Sequence, residues 1–197
     1  ETGITQRVTD INPGAGGCNF GEDMQIAVGD LLYFSAFDPV TFTELWVYDT
    51  VSGTLQQVMD IMPGSSANPG WYMHVVHRDI LYFSAKDPPN GFQLWAHETV
   101  SGLTWKVTHI NEGHGHAYPG NNFHALVDDT LYFDALTLEH GVELWAHSIL
   151  NGTTWQVADM FNGTENSNPG GNMSHVSGTT LYFCLLYTSP SPRDYPG

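Results

Sequence analysis

The sequence predicts an all-β protein: an arc of about four β-propeller blades, with four antiparallel strands in each repeat of roughly 50 residues. Three observations predict it. The segment LYFSA at 32–36 returns as LYFSA at 81–85, LYFDA at 131–135 and LYFCL at 181–185. A second marker, the Leu-Trp pair, falls at Leu45/Trp46, Leu94/Trp95 and Leu144/Trp145, so both markers step by 49 or 50 residues. Inside each repeat the LYF phenylalanine and the LW tryptophan stay 12 residues apart (Phe34 and Trp46, Phe83 and Trp95, Phe133 and Trp145), so register is kept along with length.

Each unit carries four short segments rich in aromatic and β-branched residues. In the second unit these are WYMHVV (71–76), ILYFSA (80–85), QLWAHE (93–98) and TWKVTHI (104–110). Such segments suit a pleated, half-buried surface. Turn chemistry separates them: HRD, then KDPPNG, then TVSG, then the long NEGHGHAYPGN before the next unit. No stretch sustains a helical period. A β-solenoid is the competing architecture, but its coils are usually shorter than this repeat. Counting strands gives one preceding strand at 7–11, three whole blades at about 12–61, 62–110 and 111–160, and a partial blade at 161–183, together a single array over 1–183.

The tail CLLYTSPSPRD breaks the repeat and resembles the translation of a sequencing adapter, so 184–197 is expected to be non-native. The chain also starts in mid-repeat and is expected to be a piece of a longer protein. Its first residues show no basic and apolar leader, and any export signal is expected upstream.

Composition narrows the function classes. The 197 residues are 41% hydrophobic and 13% aromatic, which suits a globular chain. Five Lys+Arg stand against 21 Asp+Glu, a net charge of −16. That field repels phosphate backbones and anionic membranes, so nucleic acid is not expected as a partner. No apolar run reaches the roughly 18 to 20 residues of a membrane helix, and membrane insertion is not expected. Two cysteines, Cys18 and Cys184, are too few for a disulfide framework.

ELWVYDTVSGT (44–54), QLWAHETVSGL (93–103) and ELWAHSILNGT (143–153), together with VTDINPG (8–14), VMDIMPG (58–64) and LYFSAKDPPNG, resemble the ELWxxDGT repeat family. The resemblance runs from residue 1 to about 183. No unit keeps the full DGT, since Asp49-Thr50, Glu98-Thr99 and Ser148-Ile149 stand there. The resemblance implies a large extracellular or surface-associated repeat protein that binds or adheres.

The repeated aromatics read first as structure, filling the space between neighbouring sheets; sugar-stacking platforms are the alternative. Trp105 and Trp155, which replace Gln56, sit on last strands, where packing and sugar stacking stand as equal readings. Chemistry is expected in the loops. The connection between units and the one between second and third strands should share a face, gathering Asp10, Asp60 and Asp159, the turns at Asn68 and Asn168, and Asp87. Carboxylates, amides and Gly-rich carbonyls suit calcium, the one cofactor the sequence suggests, with Asp10, Asp60 and Asp159 as ligands. The alternative is that these residues make Asx-turns.

Histidine is abundant, 10 against 5 Lys+Arg. His74 and His124 lie seven residues before the LYF leucine and His175 six, so the three are read as one first-strand position lining an axial channel, where Gln25 stands in the remaining unit. Imidazoles there can hold a transition metal or anion; polar residues in a wet channel also need no ligand. His97, His147, His114 and His116 read as surface. The triplets NGT at Asn151, NGT at Asn162 and NMS at Asn172 fit the N-glycosylation pattern and point to secretion. No catalytic constellation is found: GxSxG, HExxH, P-loop and dinucleotide motifs are all missing. The expectation is an extracellular or cell-surface binding or adhesion module that takes a glycan or protein partner. The alternative is a propeller-type hydrolase or lyase acting on polysaccharide, with His and Asp at the channel mouth.

Overall fold

The structure, a computed structural model, describes residues 3, 5, 7–13, 16–111, 113 and 115–185. The first repeat forms β1 (Gln25–Val28), β2 (Leu31–Asp38), β3 (Phe42–Asp49) and β4 (Leu55–Met59). The second forms β5 (His74–His77), β6 (Ile80–Asp87), β7 (Gly91–Glu98) and β8 (Thr104–Lys106). The third forms β9 (His124–Val127), β10 (Thr130–Thr137), β11 (Gly141–Ser148) and β12 (Thr154–Ala158), and β13 (Ser174–Ser177) and β14 (Thr180–Phe183) follow. Each complete repeat is one four-stranded antiparallel sheet in chain order, and β13–β14 is a two-stranded hairpin. Among the described residues no helix occurs.

The 12-residue spacing is a cross-strand pairing. Phe34 faces Trp46, Phe83 faces Trp95 and Phe133 faces Trp145, each pair directly opposite in its hairpin. Directly opposed residues share a face, so each repeat presents one Phe-Trp face and one Tyr-Leu face. The chain divides into two compact units, residues 1–107 and 108–197. In the first unit the Tyr33, Leu45 and Val47 face of one sheet packs on the Leu81, Phe83, Ala85 and Trp95 face of the next. Trp46 packs instead with Phe34, Ala36 and Ile11. Phe83 and Trp95 are therefore sheet-to-sheet packing, as expected, whereas Phe34 and Trp46 pack with Ile11, which lies in no strand, and Trp155 is 41% exposed.

Two close approaches fix this packing. A Cβ on Gly70 would collide with the Met24 side chain, and one on Gly170 would lie 2.6 Å from the Phe123 ring. Within the second unit Phe123 stacks on Phe183 at 6.3 Å between centroids.

Several strand bounds differ from the expectation. Residues 7–11 form no strand, although Ile11 is buried against Phe34. Residues 71–73 bend instead of forming strand, because the Ser84 hydroxyl accepts the main-chain N–H groups of Tyr72 (3.0 Å) and Met73 (3.3 Å), taking them out of the ladder. Strand β8 stops at Lys106, after which Val107 N–H still donates to the Leu94 carbonyl at 2.8 Å. Cys184 takes the LYFSA serine place: its N–H donates to Met173 O and its carbonyl accepts from Gly170. The rest of the proposed non-native tail, after 185, lies outside the described residues.

Candidate functional site

The serine of LYFSA is a loop anchor. Ser35 Oγ accepts the N–H groups of Asp23 and Met24, as Ser84 does for Tyr72 and Met73. In the third repeat Asp134 stands there. Its carboxylate accepts Asn122 N–H (3.1 Å) and Phe123 N–H (3.0 Å), and Oδ2 also accepts the Asn122 side-chain amide at 2.8 Å. Burial pushes the Asp134 carboxyl up to about 6, against the pull of those N–H donors.

A second set of acids escaped the sequence reading. Glu44, the first residue of ELW, is 0% exposed and accepts Ile61 N–H (3.0 Å) and Met62 N–H (3.3 Å). It thus ties the connection between repeats to β3. Glu143 does the same in the third repeat, accepting Met160 N–H (3.0 Å) and the Ser167 hydroxyl (2.8 Å). Burial raises the Glu44 carboxyl to about 8. The clue in the sequence was an acid recurring where strand alternation places a buried residue.

The histidines need correction. In β13–β14 the residue opposite Phe183 is Ser174, and His175 pairs with Tyr182. His74 and His124 do pair with Phe83 and Phe133, so His175 points to the other face of its sheet and is not their equivalent. His74 is half-buried, and burial lowers its pKa; His124 and His175 are exposed. His97 and His147, expected at the surface, are each 4% exposed. Their Nδ1 atoms pair with Thr104 Oγ1 (2.8 Å) and Thr154 Oγ1 (2.9 Å), and His97 Nε2 lies 3.3 Å from the Tyr33 hydroxyl. Burial lowers both pKa values. His116 is partly buried, its ring stacked on Tyr118, and His114 lies outside the described residues.

Asp10, Asp60 and Asp159 are exposed, and Asp10 pairs with Arg7 at 3.1 Å. Among the described residues no group of three or more His, Cys, Asp or Glu side chains that could hold a metal ion is found. Asp87 is buried, with Oδ2 paired to Lys106 Nζ at 3.1 Å. Asn68 and Asn168 have φ of 48° and 44°, the left-handed region that Asn tolerates best after Gly, so backbone geometry accounts for their recurrence. Asn151, Asn162 and Asn172 are exposed, and Asn151 Oδ1 is engaged by Thr153.

One pocket does gather residues singled out from sequence. A cavity of about 390 Å³ in the second unit is lined by Asn121, Asn122, Val142, Asn166, Asn168 and Asn172, with Gly171. It forms where the loop before β9, the loop before β13 and the start of β11 meet. The main-chain N–H groups of Ser167 and Asn168 donate to Val142 O, and Asn166 Oδ1 accepts Val142 N–H at 2.8 Å. Asn121 donates to Asn122 Oδ1 at 3.3 Å. The lining holds five side-chain amides and no ionisable group.

A larger cavity of about 490 Å³ is lined by Trp145, Gln156 and the β10–β11 loop from Thr137 to His140. In the second repeat the corresponding place is filled by the Asp87–Lys106 ion pair; Thr137 and Gln156 hold those two register positions in the third. The indole N–H groups of Trp46, Trp95 and Trp145 are all buried without a hydrogen-bond partner.

No family model and no curated protein matches the chain. Among solved structures the chain is similar to a point mutant of puromycin hydrolase complexed with PGG, at 9% identity and a TM-score of 0.49, over 79% of this chain and 23% of that one. It is also similar to a TolB-type protein from Agrobacterium tumefaciens, at 12% identity and a TM-score of 0.44, over 81% of this chain and 56% of that one.

Proposed function

We propose that the repeated sheets are consecutive blades of a β-propeller, and that the chain belongs to an extracellular, non-catalytic binding or adhesion module that holds a glycan or protein partner. The resemblance to ELWxxDGT repeats and the face-to-face packing of successive sheets in the first unit support the architecture. The observation that carries the binding reading is the asparagine-lined pocket, a concave site with convergent polar groups and no acid, base or nucleophile in its lining.

The test is retention of the chain on a glycan array and on immobilised polysaccharides, run beside a turnover assay on the same polymers. Retention without turnover is expected. Retention measured with and without a chelator separates direct binding from calcium-assisted binding. Depolymerisation that disappears in His124→Ala would replace this reading with a polysaccharide-acting enzyme.

A further inference from the structure

We infer that the ligand of the asparagine pocket is a neutral saccharide and that Asp134 is a positioning residue for it; this rests on the binding reading above. The side chains of Asn168 and Asn172 make no hydrogen bond among the described residues, and Asn121 and Asn166 each use one end of their amide. Each amide offers a carbonyl acceptor beside two N–H donors, a match for sugar hydroxyls, which both donate and accept. The lining has no cation to meet a uronate or sulfate, and the chain carries a charge of −16 that repels polyanions. Only Val142 offers an apolar side chain, so a peptide finds no anchoring pocket.

Asp134 sets this repeat apart. Where Ser35 and Ser84 grip main-chain N–H groups alone, Asp134 also holds the Asn122 amide at 2.8 Å, and Asn122 in turn holds Asn121. The buried acid therefore fixes two of the five amides. The corresponding loops of the first unit carry Glu22, Asp23, Ser66 and Tyr72 in place of Asn121, Asn122, Asn166 and Asn172, so the amide cradle is not a general feature of the repeat.

The experiment measures affinity of the chain for dextran, mannan and β-glucan against alginate and a sulfated galactan, with thermal midpoints recorded for every variant. A neutral polymer should bind, and Asn121→Ala with Asn172→Ala should weaken it roughly tenfold by removing two hydrogen-bonding groups. Asp134→Ser, the residue that holds the same turn in two other repeats, should weaken binding severalfold while the chain still folds. Alginate or sulfated polymer bound through the same asparagines overturns the neutral class and leaves the binding reading standing. Neutral binding unchanged by the asparagine substitutions overturns the pocket, and binding unchanged in Asp134→Ser overturns its positioning role. Retention of no polysaccharide at all overturns the glycan reading together with this one.

Discussion

Replacing Glu44 by Gln should flatten the alkaline side of the stability profile. Burial lifts this carboxyl from the ordinary 4.5 to about 8, so the native state keeps a proton that the unfolded chain has released. A raised carboxyl makes stability fall as pH rises through the interval between the two values; below the unfolded value both states are protonated and the penalty vanishes. Between about pH 5 and pH 8 this linkage amounts to roughly 3.5 kcal/mol. For a chain of this size that corresponds to a fall of roughly 7 to 14 °C in the melting midpoint. Asp23 and Asp134, each raised to about 6 chiefly by burial, change stability in the same direction. His74, His97 and His147, lowered by burial, lose stability toward acid instead. The difference between variant and parent isolates Glu44. Gln93 already occupies the same register position opposite Ala85, as Glu44 does opposite Ala36, so an amide fits the site. The assay is thermal or urea unfolding at half-unit pH steps. A Glu44→Gln profile with the same slope as the parent would show that Glu44 is ionised in the fold, held by the Ile61 and Met62 N–H groups.

Other substitutions test the packing and the turns. Gly70→Ala should lower stability by about 2 kcal/mol or more, because a Cβ there collides with Met24 and the φ of 83° is strained for any other residue. Ser84→Ala should cost about 1 to 3 kcal/mol by leaving two N–H groups beside Met73 without their acceptor. Asp128→Gly should stabilise by about 0.5 to 1 kcal/mol, since Asp128 has a φ of 50° at the turn position where Gly29 and Gly178 stand. Urea unfolding reads all three, and the opposite sign in any of them refutes its stated cause.

Much of the sheet structure was legible in the sequence because a strand repeats its side-chain environment every two residues and the repeat copies that alternation three times. The constant interval between Phe and Trp is legible as pairing once the hairpin is drawn. What stayed hidden depends on groups distant in sequence. The partners of Glu44, the Ile61 and Met62 N–H groups, lie 17 and 18 residues further on, and His97 reads as surface until Tyr33 of the preceding sheet covers it. The His175 offset was visible, six residues before the leucine instead of seven, and a shift of one in a strand reverses the face. The asparagine pocket needed two consecutive repeats to be seen together, and only Asn168 and Asn172 among its residues carried a sequence signal.

The arrangement of the repeats as blades is tested most directly by distances between equivalent turn tips. Val51, Val100 and Leu150 lie in the three corresponding turns before β4, β8 and β12 and are 77%, 79% and 72% exposed. Spin labels at pairs of these positions, with Cys18 and Cys184 replaced by Ser, give three distances by pulsed dipolar spectroscopy. Blades of a propeller turn by a constant angle, so the 51–100 and 100–150 distances should be equal, and the 51–150 distance should be roughly 1.4 to 1.85 times either for rings of four to eight blades. A 51–150 distance equal to the sum of the other two would show a straight stack of sheets and contradict the propeller.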